Sequence, residues 1–265
     1  MNFPALHFIR NNLEWTPHGH GEKETKIKMV RGTLGNIHQG CNIFQPCNGV
    51  QCTAIALIAL LSFMQFFPHF PDRISREFID GIMFDGNDLY REIVSQPGGP
   101  MGYLSHRDLP TRVELFDGNI EFIYDMFYGT VNGALNNDAG EISFENAIYE
   151  SAQIPPFLLT TFGTSTVSLI VDMVSNNICI FDSHQRNVQG FQDPTGNAVF
   201  LRFDSLNELF QYVNSVYCGV RFDITPVRLL SLDMHAHREN SQSLQEVLSD
   251  ARLEKSCQMQ SNNDF

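Results

Sequence analysis

The stretch "GVQCTAIALIALLSFM", residues 49–64, decides how the rest of the chain is read. Between Cys52 and Met64 only Thr53 and Ser62 are polar, so no face of a helix here could be left to solvent. Such a helix is covered all round and central to its domain. The thiol at its head has two competing explanations. Cysteine is among the most buried residue types, so Cys52 is either a small core residue or a nucleophile. A nucleophile gains from this position, because helix N-terminal N–H groups and the helix dipole lower a thiol's pKa. Its partners elsewhere in the chain choose between the two.

The chain has 265 residues, enough for one large domain or two small ones, and twenty-two phenylalanines supply an ample core. A net charge of -13 argues against nucleic acid or an anionic membrane as the main partner, since both call for basic patches. Six cysteines occur without a CxxC pair. Cys41, Cys47 and Cys52 crowd together but lack a second pair of ligands, so a metal cluster is not expected. The opening "MNFPALHFIRNNLEW" has no long apolar core of a secretory signal. The run after Cys52 falls short of the roughly 20 apolar residues of a membrane span. A cytoplasmic or nuclear setting with reduced thiols is expected.

Composition divides the chain into a polar N-terminal extension (1–25), one continuous domain (26–232) and a polar, flexible tail (233–265). Within the domain, the central helix is expected over 53–65, followed by one or two shorter helices within 73–96, interrupted at "DGND". A strand over 119–129 and a helix over 142–152 come next. Three strand-like runs follow, "PPFLLTTFG", "TVSLIVDMV" and "NICIFDSH", with "SNN" as the hairpin turn between the last two. "AVFLRF" and "VRFDITPVRLL" add strands on either side of the helix "SLNELFQYVNSVY". A central N-terminal helix packed on a mainly antiparallel sheet is an α+β arrangement.

A nucleophilic cysteine needs a base, and the base needs a group that orients it. Of nine histidines, His18, His20, His235 and His237 lie in polar end segments. His7, His38, His69 and His106 lie in turn-rich stretches without an acid held beside them. His184 closes a strand with Asp182 two residues before it. Residues i and i+2 of a strand share a face, with Cα atoms about 6.5–7 Å apart, so the carboxylate can reach Nδ1–H and leave Nε2 for a thiol proton. The bland alternative is a polar turn that ends a strand, and Asp-x-His tripeptides are common. An oxyanion also needs donors: the Cys52 N–H is one, and a side-chain amide is the usual second. Gln51 is expected to point away from the thiol, which leaves Gln39, Gln45 and Asn48 open. Cys179 and Cys218 lie on or beside apolar segments, where a thiol stays protonated and inert.

Together these residues resemble the herpesvirus large-tegument-protein deubiquitinase family of papain-like cysteine proteases. That family has a basic residue after an apolar pair, then an oxyanion glutamine, then a nucleophile in G-x-Q-C thirteen residues later. Here "MVRG" precedes Gln39, and "GVQC" places Cys52 thirteen residues beyond it. Two strands and an aromatic-Asp-x-His motif correspond to "LLTTFGTSTVSLIVDMVSNNICIFDSH", and the likeness covers roughly 26–232. The resemblance implies Cys52 as nucleophile, His184 as base, Asp182 as orienting acid and Gln39 as oxyanion donor. It implies a papain-like fold, no cofactor, and ubiquitin or polyubiquitin chains as the partner, cleaved after the C-terminal glycine. Ser183 stands where viral members often have proline, with its side chain expected to face away from the site. Two alternatives keep part of this reading: a papain-like hydrolase for another ubiquitin-like modifier or amide, and a non-catalytic ubiquitin-binding module. Many of the former place the orienting acid on a separate strand, and a non-catalytic module has no physical need for all three of Cys52, His184 and Asp182.

Overall fold

The computed structural model describes residues 32–67, 70–71, 74–115, 120–126, 130–135, 141–152 and 156–234. The expected extension 1–25, and residues 235–265 of the expected tail, lie outside these. The central helix is α1 (Cys52–Met64), and every one of its residues is buried. One side packs against α2 (Arg76–Ser95) and the other against the sheet.

The break expected at "DGND" does not occur, because α2 is a single helix of 20 residues. Ser75 caps its start, accepting a hydrogen bond from the Phe78 N–H at 3.1 Å. Gly86 sits where the two helices touch: a Cβ there would stand 2.6 Å from the Ile55 Cα. Asn87 is buried and accepts a hydrogen bond from the Gln51 side chain at 3.2 Å. These residue types, which favour loops by propensity, serve helix packing instead.

Among the described residues the strands are β1 (Gly32–Leu34), β2 (Arg112–Leu115), β3 (Ile120–Met126), β4 (Val131–Ala134), β5 (Phe157–Phe162), β6 (Ser165–Asp172), β7 (Asn177–Arg186), β8 (Asn197–Phe203) and β9 (Arg221–Met234). They form one sheet in the order β1-β8-β7-β6-β5-β9-β3-β2, with β4 also on β9. Every strand pairing is antiparallel. The long β9 pairs first with β4 and β5, then with β3. Pro226, which has no N–H to give, falls at the changeover. The "SNN" turn joins β6 to β7, with Asn176 at φ 54°, a left-handed conformation that asparagine tolerates.

Helices α3 (Phe144–Ser151) and α4 (Leu206–Val216) cover the opposite face from α1 and α2. Along β7, Cys179 and Phe181 join the core of α1 and α2, whereas Ile178 and Ile180 join that of α3 and α4. Burial on both faces is why these strands read as nearly unbroken apolar runs. The architecture is the expected α+β one, a central N-terminal helix on an antiparallel sheet. The layering brings the start of α1, the end of β7 and the loop before α1 to one place.

Candidate active site

Cys52 is the first residue of α1 and is almost fully buried. Its N–H belongs to the first turn, where an α-helix has no internal partners for its donors. Gln51 turns away as expected, since its side chain donates to Asn87 and accepts from the Val50 N–H. The thiol meets the His184 side chain and the backbone and hydroxyl of Thr166, and approaches the Thr164 carbonyl at 3.8 Å. Burial pushes the thiol pKa up, but the hydrogen bond and charge of His184, joined by Thr166, outweigh it, and the net shift is downward.

His184 and Asp182 are joined as the spacing implied, through Nδ1 and Oδ1 at 2.6 Å. The local geometry is not that of a regular strand, however. The same Oδ1 accepts the His184 backbone N–H at 2.9 Å, an Asx-type contact. The pairing also slips here: the step from Asp182 to Arg186 on β7 is matched on β8 only by the step from Val199 to Asn197. Such a bulge re-aims a side chain, and here the imidazole is turned toward α1. Burial alone would lower the His184 pKa, but the Asp182 charge and hydrogen bond, with Cys52, raise it to about 9. Asp182 is completely buried, which opposes ionisation, yet His184, Arg186 and Tyr217 hold its carboxyl well below the usual range. An imidazolium facing a thiolate is the state that these shifts favour.

Gln39 is buried in the loop before α1 and is tied down on three sides. Its N–H donates to the Ser183 carbonyl at 2.9 Å, and its own carbonyl accepts the Gly49 N–H at 2.9 Å. Its Oε1 accepts from the Ser183 hydroxyl at 3.2 Å, which orients the amide so that its NH2 points the other way. Further up the loop, Asn36 donates its N–H and side-chain NH2 to Asp80 on α2, at 2.8 and 2.7 Å. Gln45 is exposed, and Asn48 reaches back to the Gly40 carbonyl at 3.5 Å. Of the three amides left open by the sequence, Gln39 is the buried one and is bonded to the residue beside His184.

Two expectations need correction. The Ser183 side chain does not face away; it holds Gln39. Cys218 is exposed rather than protected, whereas Cys179 is buried and its thiol is pushed up to about 11 by that burial. His38 lies near enough to His184 for burial and the second imidazole to lower its pKa, and its Nδ1 accepts the Gly40 N–H. Among the described residues no three His, Cys, Asp or Glu side chains gather as a metal-ligand set. Three residues were not singled out by the sequence: Thr166, Arg186 and Tyr217. Only Arg186 left a signal, the alternation in "DSHQR" that places residues 182, 184 and 186 on one face.

The fold, with this thiol, imidazole and carboxylate at the meeting of α1 and β7, is of the papain-like α+β class. Residues 34–228 match the family described as herpesvirus tegument protein, N-terminal conserved region, and the chain belongs to that family. Among solved structures, a match is the ubiquitin-specific protease encoded by murine cytomegalovirus tegument protein M48, crystallised with a ubiquitin-based suicide substrate. The two share 16% identity with a TM-score of 0.59, over 85% of this chain and 95% of that one. The comparison with curated proteins gave no match. Among the described residues no helix is long and apolar enough to cross a membrane.

Proposed function

We propose that the chain is a cysteine deubiquitinase that hydrolyses the bond after the C-terminal glycine of ubiquitin, acting in the cytoplasm or nucleus of a host cell. The observation that carries this reading is the Cys52–His184–Asp182 chain of contacts with Gln39 beside it, in a member of a tegument family whose fold a viral ubiquitin-specific protease shares. In this scheme the Cys52 thiolate attacks the glycine carbonyl carbon. The oxyanion is held by the Cys52 N–H and the Gln39 NH2. As the tetrahedral species collapses, His184 gives its proton to the departing lysine amine, leaving a thioester. His184 then takes a proton from water, the hydroxide attacks the thioester, and the carboxylate and thiol separate. Asp182 keeps Nδ1 protonated throughout, so that Nε2 does the transfers.

Incubation with di-ubiquitins of each linkage tests this. The wild-type chain is expected to release mono-ubiquitin from at least one linkage, and Cys52→Ala from none. Cleavage of a different ubiquitin-like modifier with all di-ubiquitins left intact would move the reading to another substrate.

A further inference from the structure

Asp182 is held more firmly than an orienting acid needs. Its Oδ1 serves the His184 N–H and Nδ1, while its Oδ2 accepts from Arg186 Nε at 2.7 Å and from the Tyr217 hydroxyl at 2.6 Å. Both extra donors are buried. The Arg186 guanidinium lies 5.3 Å over the Tyr217 ring and points an N–H at its hydroxyl, 3.4 Å away. The Tyr217 ring is stacked on Phe162, with centroids 4.3 Å apart and planes 14° apart. Burying a guanidinium is costly unless it is paired and hydrogen-bonded, and here its pairing is with the acid that touches His184.

We propose that Arg186 and Tyr217 are positioning residues for the reaction: they occupy Oδ2 so that Oδ1 alone faces His184, and the Arg186 charge limits how tightly the carboxylate holds the imidazolium proton. The first effect is geometric. A carboxylate free to rotate about χ2 could present either oxygen to Nδ1, and the imidazole would follow it; with Oδ2 tied at two points, the ring keeps one orientation. The second effect is electrostatic. His184 must release its proton to the departing amine, and an unopposed buried carboxylate would make it too weak an acid. A cation on the far oxygen draws part of that field away. Tyr217 contributes only the first effect, and Arg186 both.

The charged and titratable groups around this centre are His184 and Arg186 from β7, Tyr212 and Tyr217 from α4 and its end, Cys52 from α1 through His184, and His38 beside His184. The inference rests on the proposed thiol chemistry, so its test has two readouts. One is hydrolysis of a fluorogenic ubiquitin C-terminal amide; the other is the pH profile of Cys52 alkylation by iodoacetamide, which needs no ubiquitin. Tyr217→Phe keeps the ring stacked on Phe162 and removes one bond. It is expected to lower kcat about tenfold with KM little changed, the worth of one hydrogen bond to a charged group. Arg186→Met is expected to move the alkaline limb of both profiles to higher pH, by about one unit. Arg186→Lys, which restores charge but not the fork, should return the limb toward wild type with kcat only partly recovered. In an Asp182→Asn background, Tyr217→Phe is expected to change neither kcat nor alkylation further.

Full additivity of Tyr217→Phe with Asp182→Asn would overturn the proposal, as would Tyr217→Phe variants that melt earlier yet keep wild-type kcat and alkylation profiles. If Arg186→Met does not fold, the Tyr217→Phe cycle still decides. If wild type ignores the ubiquitin substrate, the deubiquitinase reading fails while the alkylation profiles still test Arg186 and Tyr217.

Discussion

His184 is pulled in opposite directions, burial disfavouring its charge while Asp182 and Cys52 favour it, and the balance lies at about 9. The imidazolium charge beside Cys52 is therefore lost as pH rises through about 9, and kcat/KM is expected to fall there. Asp182→Asn removes the charge that favours the imidazolium, so the alkaline limb should move to lower pH. The same variant should cost kcat about 10²–10⁴-fold, the usual worth of a positioned base. A pH–rate profile of the variant with an unmoved limb would separate Asp182 from the titration. Stability follows the same linkage: the His184 contribution is complete below its ordinary value of 6.5 and is lost as pH rises through about 9, as denaturation at several pH values would show. Gln39→Ala is expected to lower kcat about 10²–10³-fold with KM nearly unchanged, whereas Gln45→Ala and Asn48→Ala should change little. Cys52, Asp182 and His184 were legible because their signals are local, a helix start and an i, i+2 spacing. Gln39 was reached through family resemblance, since loop geometry cannot be read from spacing. Tyr217 was hidden altogether, because 35 residues separate it from Asp182 and only the folding of α4 over β7 unites them.

At the scale of elements, α2 shows where composition misleads. "DGND" has the residue types of a loop, yet Gly86 allows α1 and α2 to approach and Asn87 receives the Gln51 amide. Gly86→Ala would improve helix propensity in an isolated segment by about 1 kcal/mol. Here the added Cβ would meet the Ile55 backbone, which cannot swing aside as a side chain can. Net destabilisation of about 1–3 kcal/mol is expected, measured as a lower urea midpoint with unchanged slope. A raised midpoint would contradict the packing account. The bulge in β7 is the second case. The sequence showed that Asp182 and His184 share a face, but the register slip that aims the imidazole depends on β8 alongside, which no single strand reveals. The run of strands, hairpin and helix after residue 156 was legible almost throughout, because turn residues bound each apolar run.

Across the whole molecule, one sheet covered on both faces brings the end of β7 to a distant segment, the loop carrying Gln39 and the head of α1 that follows it. That convergence underlies the central claim, that Cys52 is the nucleophile of a ubiquitin-cleaving site. The cysteines differ in ways a chemical probe can read. Cys179 is buried with a raised pKa, Cys218 is exposed, Cys41 and Cys47 are half-buried in the loop, and the Cys52 thiol is lowered by contact with His184. The most direct measurement is reaction of the full chain with ubiquitin bearing an electrophile at its C-terminus, followed by peptide mapping. A single adduct at Cys52 is predicted, lost in Cys52→Ala and retained in Cys41→Ala, Cys47→Ala and Cys218→Ala; an adduct at another cysteine, or none while iodoacetamide still modifies Cys52, would contradict the claim.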